Sequence, residues 1–489
     1  MGVLSRADVD LSDVVAVARE GERVSFASVV ERDLAASRAV VEAVLAEGEP
    51  VYGLNTELGA GRDIVVSTER IEEFQRRTIR NSSGGIGSSL SVEQARAVVF
   101  ARLVGFSRGG AGVTSELAVQ YRELLNRDVY PVIPRTGSVG AADLTHLAAV
   151  AAVATGTGRA FIDNAAVSGA DALAAVSLQP VTLQAHEALA ALSGNSYSVG
   201  VGALVVSDLA GIVNAADRVV ALSLAALAEH STGGNLSPFS VEIQSAHRSA
   251  EQAAAAARVR ALLPSGSAAS TQDPLSFRTA PQVHAALASA VAASAAAIRL
   301  ELNSRTENPL VDIDSRRMIS GGNFQVLGLA LSFESLRLAL AHVAAASERR
   351  LAKLSSLQAP LRRAGRARVP GLLSYSASSL LAELRQLANP VSLYTTSLSD
   401  DVEDVSSNAA LALQLLERSA ALTRTILAIE AVTAAELAAI EAQHDGSRDE
   451  VRRVLSGPLQ EIVDVVTAAL DADAPADELV AALERELYA

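Results

Sequence analysis

Three long stretches of this chain contain neither glycine nor proline: Gln282–Asn308, Leu329–Ala359 and Val405–Asp445. Sheet proteins place turn residues every ~8–12 positions, so uninterrupted runs of this length point to helix. Alanine, leucine, arginine and glutamate, all good helix formers, dominate them. Ser406 and Ser407 lie at the start of the last run as candidate N-caps. Unbroken, that run would extend about 60 Å, at roughly 1.5 Å per residue. Such helices are apolar on more faces than one small domain covers. They predict a mainly α fold, with a long helical bundle and C-terminal helices over 201–489 whose spare apolar faces meet other subunits. Apolar residues make up 49% of the chain, enough for a large core.

Residues 1–200 read differently, as a loop-rich domain of shorter helices. Glycine punctuates "YGLNTELGAGRD" (52–63), "NSSGGIGSS" (81–89), "VGFSRGGAGV" (104–113) and "RTGSVGAADLTHLAAV" (135–150). A short strand pair fits Arg159–Ile162 and Ala166–Ser168, and "LLPSGSAASTQDPLS" (262–276) reads as a loop. The net charge of −14 argues against nucleic acid or an acidic membrane surface as partner. The absence of cysteine removes disulfide and thiolate chemistry and fits a reducing cytoplasm. The charged N-terminus does not read as a secretory signal. Apolar stretches such as Val283–Ile298 fall short of the ~20 residues a bilayer span needs. Lys353 is the only lysine, so Schiff-base and P-loop chemistry are disfavoured. The seven histidines have no paired ligand spacing, so no metal site is expected. His146, in an apolar stretch, reads as a hydrogen-bonded core residue.

Taken in order, several segments resemble the histidine and aromatic amino-acid ammonia-lyase and aminomutase superfamily. "VYGLNTELG" is similar to its mobile tyrosine loop, "GSVGAADL" to its cofactor loop and "LSGNS" (192–196) to a pocket segment. "QDPLSFRTAPQV" (272–283), "ELNSRTENPLVD" (301–312), "SGGNFQ" (320–325), "SERRLAKL" and "DVEDVSSN" continue the series, so the resemblance spans roughly residues 50 to 430. It implies the ammonia-lyase fold, a homotetramer with active sites shared between subunits, and a small-molecule substrate.

The resemblance also implies an electrophile, methylidene-imidazolone (MIO), made by cyclisation and dehydration of an internal Ala-Ser-Gly. Here Ala141 is followed by Ala142 and Asp143. Ala142 has no hydroxyl to lose, and Asp143 stands where glycine favours ring closure. MIO is therefore expected not to form, leaving no cofactor. Leu192-Ser193-Gly194 is a second Ser-Gly beside the expected pocket, but the strained turn that cyclisation needs belongs to the other loop.

By the same resemblance Tyr52 matches the catalytic base, and Glu403 an acidic residue near the substrate amine. Arg278 matches the arginine that holds the α-carboxylate through a planar fork. Gln272, Asn308 and Phe324 match pocket-lining positions. Ser193 replaces a pocket asparagine, Leu275 the family's second tyrosine, and Glu57 a loop glycine. The side-chain selectivity pair falls on Asn81 and Ser82, beside Arg80. No large apolar group or histidine stands there, so a polar, non-aromatic substrate is expected. Each position has a plainer reading: a packed tyrosine, a salt-bridged arginine, a core phenylalanine, a solvated Arg80, a Glu403 placed for a helix dipole. Three functions remain open: an MIO-independent lyase performing α,β-elimination or its reverse, a non-catalytic homologue that binds a ligand or a partner, and a related isomerase or cyclase. Retention of Tyr52, Gln272 and Arg278 together favours the lyase.

Overall fold

The computed structural model describes residues 2–163, 165–230, 232–263, 270–444, 455 and 457–488. Asp445, and residues 264–269 of the loop 262–276, lie outside the described residues. The three punctuation-free runs are helices: Ala280–Leu302, Leu327–Arg363 and Ala409–His444. The first stops before the run does. Asn303 Nδ2 bonds back to Arg299 O (2.7 Å) and to Val9 O (2.9 Å), so a side chain competes with the helical ladder. The second takes in both Gly328 and Pro360, which delimit the run. Before the third, Asn408 sits at φ 51° and Ser407 Oγ accepts the N–H of Ala409 (3.3 Å).

A fourth long helix, Ser196–Glu229, is hidden in the sequence by Gly200, Gly202 and Gly211. Two of these glycines permit close packing. A Cβ on Gly200 would lie 2.5 Å from Ala97 O, and one on Gly202 would lie 2.8 Å from Phe333 Cζ. Strands Arg159–Ile162 and Ala165–Ser168 pair antiparallel and join Tyr130–Pro131 in a three-stranded sheet.

The chain divides into two compact units. The first comprises Met1–Ser207, Ser294–Phe333 and Pro390–Gln414. It gathers the broken N-terminal helices with the loops that follow residue 302 and precede residue 415. The second comprises Asp208–Ala293, Glu334–Asn389 and Leu415–Ala489. Its interior holds an ion pair without solvent contact, Arg350 Nε to Glu430 Oε1 at 2.6 Å, to which Ser223 Oγ also donates (2.7 Å). Asp217 there is bonded to His284 Nδ1 (2.6 Å) and Arg258 Nε (2.7 Å). Each such charge is matched, as burial requires.

The apolar helices are longer than the stretches read from sequence, against the expectation that none is long enough to span a bilayer. Glu187–Glu229, Ala280–Leu302 and Leu327–Arg363 are long and apolar enough to cross one, because alanine-rich helix continues past the stretches counted in sequence. The most apolar window of the first is 72% buried within the chain, that of the second only 28%.

Candidate active site

Asn55 shapes the tyrosine loop. Its Oδ1 accepts the N–H of Val51 (2.7 Å) and its Nδ2 donates to Glu49 O (2.9 Å), closing a turn around Tyr52. Gly53 is required there: φ is 67°, and a Cβ would lie 2.1 Å from Leu189 Cδ2. The flap folds back through a bridge between Thr56 and Val65. The Tyr52 hydroxyl accepts the N–H of Gly59 at 3.1 Å. Burial raises its pKa above the usual value, and the nearby Glu403 charge adds to this, while the Gly59 bond and Arg62 oppose it. The phenol therefore stays protonated at neutral pH. Glu403, which closes a turn by bridging to Leu398, is half-buried, and burial raises its carboxyl pKa too.

The altered loop is held from several sides. Ser138 Oγ donates to Asp143 Oδ1 (2.8 Å), lies 3.2 Å from Ala142 O and accepts the N–H of Gly140 (3.1 Å). Asp143 is fully buried: its Oδ2 accepts the N–H of Ser198 (2.8 Å) and its own N–H donates to Gly194 O (2.7 Å). Ser407 Oγ donates to Gly140 O (2.9 Å), at a contact too close for a side chain on Gly140. Ala142 has φ 60°. A non-glycine residue in that region costs on the order of 1–2 kcal/mol, so the loop is strained and over-determined by its neighbours.

These loops enclose one cavity of about 840 Å³, lined by Tyr52, Asn81, Ser82, Ala141, Ala142, Ser193, Asn308, Phe324 and Glu403. Nine sequence-selected residues thus converge within the first unit. Ser193 Oγ accepts the N–H of Asn308 (2.9 Å), and Asn308 Oδ1 accepts that of Gly321 (3.0 Å). Behind this wall Arg102 donates to Glu307 (3.2 Å) and to Ala190 O (2.6 Å). Five selected residues do not line the cavity. Asp143 is the buried anchor just described. Arg80 turns from the cavity and borders another. Gln272, Leu275 and Arg278 belong to the second unit, where the Gln272 amide oxygen faces the Arg278 guanidinium (3.3 Å to Nη2) and Leu275 is exposed.

Glu57, noted in sequence as a replaced loop glycine, also lines the cavity, as do the charged residues Arg62, Asp63 and Arg77, which the sequence did not single out. Glu57 on the flap pairs with Arg77 on helix Ile71–Ser82, and the Arg77 guanidinium lies 5.7 Å from the Phe74 ring centroid. A helical reading could have found Arg77, since it precedes Asn81 by four residues and shares its face. Nothing local marks Arg62. His146 is fully buried, stacked on Tyr197 with ring centroids 4.0 Å apart, and its Nε2 meets Arg135 O at 3.1 Å. Among the described residues no group of three or more His, Asp or Glu could hold a metal ion.

The arrangement is a polar, mixed-charge pocket under a tyrosine-bearing flap, suited to proton transfer on a small molecule. Residues 9–462 match the aromatic amino acid lyase family. A histidine ammonia-lyase of Symbiobacterium thermophilum is 34% identical over 444 residues, covering 88% of this chain and 86% of its own. Another, from Paracidovorax citrulli, is 36% identical over 451 residues, covering 89% and 86%. Among solved structures, ergothionase, an ergothioneine-degrading enzyme from Treponema denticola, superimposes with a TM-score of 0.90 at 24% identity over 99% of this chain and 98% of its own. A phenylalanine aminomutase from Pantoea agglomerans gives 0.89 at 22% over 100% and 99%. The chain belongs to the aromatic amino acid lyase family, a family of lyases, and has its helical fold.

Proposed function

We propose that this chain catalyses α,β-elimination, or the reverse addition, on a polar, non-aromatic amino-acid-like substrate without MIO. One observation carries the reading: Tyr52 and Glu403 face a single cavity with Ala141 and Ala142, a wall that offers methyl groups where the family's electrophile would stand. The loop residues do not fit that group. Dehydration needs a hydroxyl at 142, and ring closure needs a free nitrogen at 143. The Asp143 N–H is already committed to Gly194 O, and its side chain to Ser138 and Ser198. Ser193 of the second Ser-Gly is engaged by Asn308.

In the proposed reaction a base removes the β-proton, the C–H electron pair forms the double bond, and the leaving group departs with its own bonding pair. Without an electrophile, the leaving group must be better than ammonia or the β-proton more acidic. Tyr52 is assigned as base. A cationic substrate group near Glu403 would offset the carboxylate that raises the phenol pKa, easing its ionisation on binding. The charged rim of Glu57, Arg62 and Arg77 favours a polar substrate over a phenyl or imidazole ring. Arg278 is assigned to the substrate carboxylate. A homotetramer would bring it to the cavity from a neighbouring copy, and exposed Leu300, Leu331 and Leu393 offer apolar surface for such contacts.

The test is a screen of polar amino acids, their N-substituted derivatives and the matching unsaturated acids, on protein whose intact mass has been measured. The expected outcome is the unmodified mass with turnover of at least one polar substrate. A mass deficit of two waters would remove the MIO-independent reading. An unmodified protein that binds these compounds but turns none over would establish a non-catalytic homologue.

A further inference from the structure

The first unit contains a second cavity, of about 720 Å³, bordered by one side of helix Ile71–Ser82, by Thr155, Thr157 and Gly158, and by Pro180–Leu183. Its floor is apolar: Ile79, Pro180, Val181 and Leu183. Its charges are mostly spoken for. Arg76 is held by Glu72 (2.6 Å), Glu73 by Arg70 (3.3 Å), and Arg77 by Glu57. Arg80 is the arginine on this wall that has no ion-pair partner among the described residues. A second group is also unmatched. Gln75 is buried, its Oε1 accepts the N–H of Ala188 (2.8 Å), and its Nε2 has no acceptor. A buried donor left without an acceptor is unfavourable, and an oxygen brought to it would satisfy it. Gln75 and Arg80 are five residues apart, roughly 7.5 Å along the helix axis.

We propose that this cavity binds a small organic monoanion. The carboxylate meets Arg80, the apolar body lies over Pro180, Val181 and Leu183, and a second oxygen at the far end accepts from Gln75 Nε2. Arg77 cannot be the anion's main partner while Glu57 holds it. The site is distinct from the catalytic cavity, with which it shares only Arg77 on its wall, and does not depend on what reaction occurs there.

The probe is 4-hydroxybenzoate, whose carboxylate and phenol oxygen stand at opposite ends of an apolar ring. Binding to the full chain is measured by calorimetry, so no turnover is needed. Saturable millimolar or tighter binding is expected. Arg80→Ala, an exposed change that circular dichroism should show to be folded, is expected to weaken it at least tenfold, the loss typical of a charge-assisted bond. Benzoate, lacking the second oxygen, is expected to bind severalfold more weakly, and Asn81→Ala to leave 4-hydroxybenzoate affinity unchanged. Absence of saturable binding, or an Arg80→Ala affinity equal to the parent's, overturns the proposal. So does loss of binding in Asn81→Ala, which would place the probe in the catalytic cavity.

Discussion

At the residue scale, the Tyr52 assignment is the one most open to measurement. Tyr52→Phe removes the oxygen and keeps the ring, and Gly59 loses one acceptor. The fold should survive while kcat falls by about 10²–10⁴, the usual worth of a positioned proton-transfer group. The pH profile gives an independent check. A base works deprotonated, and the Tyr52 pKa is raised above 10.0 by burial. The rate should therefore still be climbing with pH around 10, and Tyr52→Phe should lose that alkaline limb. A rate whose rise is already complete well below pH 10, and that keeps this limb in Tyr52→Phe, would instead assign the base to Glu403, whose carboxyl pKa burial raises. Tyr52, Glu403 and Asn308 were legible because each sits in a segment whose neighbours also match. Arg62 was not, because its place at the cavity depends on how the flap folds, which no local pattern encodes, whereas the i,i+4 spacing of Arg77 to Asn81 does point to it. Arg80 misled for a related reason: adjacent residues on a helix point about 100° apart, so proximity to Asn81 in sequence put it on the wrong face.

At the element scale, the glycines of helix Ser196–Glu229 divide by what surrounds them. The helix was missed in sequence because glycine is a poor helix former, and close packing can outweigh propensity. Gly200→Ala should destabilise the protein despite alanine's helical advantage, because the new Cβ would lie 2.5 Å from the Ala97 backbone oxygen. Gly211→Ala meets nothing closer than Tyr488 Cδ1 at 3.9 Å. It should stabilise by about 0.5–1 kcal/mol, the helical preference for alanine over glycine. Chemical denaturation of the two variants decides the matter, and changes of the same sign would refute the packing account. Within the second unit, Arg350 Nη1 donates to Ser276 O (3.0 Å) and so ties the short helix Leu275–Arg278 to the Arg350–Glu430 pair. Glu430→Ala leaves Arg350 buried and unpaired, which should cost about 3–5 kcal/mol. A Tm within a degree of the parent's would show that the pair contributes little.

At the scale of the whole molecule, the sequence predicted helices too apolar to stand alone. In Ala280–Leu302 the most apolar window is only 28% buried by its own chain. The two-unit division was less legible, because the first unit collects segments from three separated parts of the chain. The assignment of Tyr52 and Arg278 to one reaction yields the sharpest test of assembly. Tyr52 lines the cavity of the first unit, whereas Arg278 belongs to the second and is absent from that cavity's lining. If one active site takes Tyr52 from one subunit and Arg278 from another, Tyr52→Phe and Arg278→Ala should each be nearly inactive alone at limiting substrate. Unfolded together and refolded as a 1:1 mixture, they should recover about a quarter of the parent kcat/KM, because in a randomly mixed symmetric oligomer half the sites carry an intact Tyr52 and half of those an intact Arg278. Light scattering on the same mixture should give a tetramer. A mixture that stays as inactive as its components, while scattering confirms mixed tetramers, would mean that both residues serve from a single chain. A stable monomer at micromolar concentration would remove the shared site altogether and leave Ala280–Leu302 with its most apolar window only 28% buried.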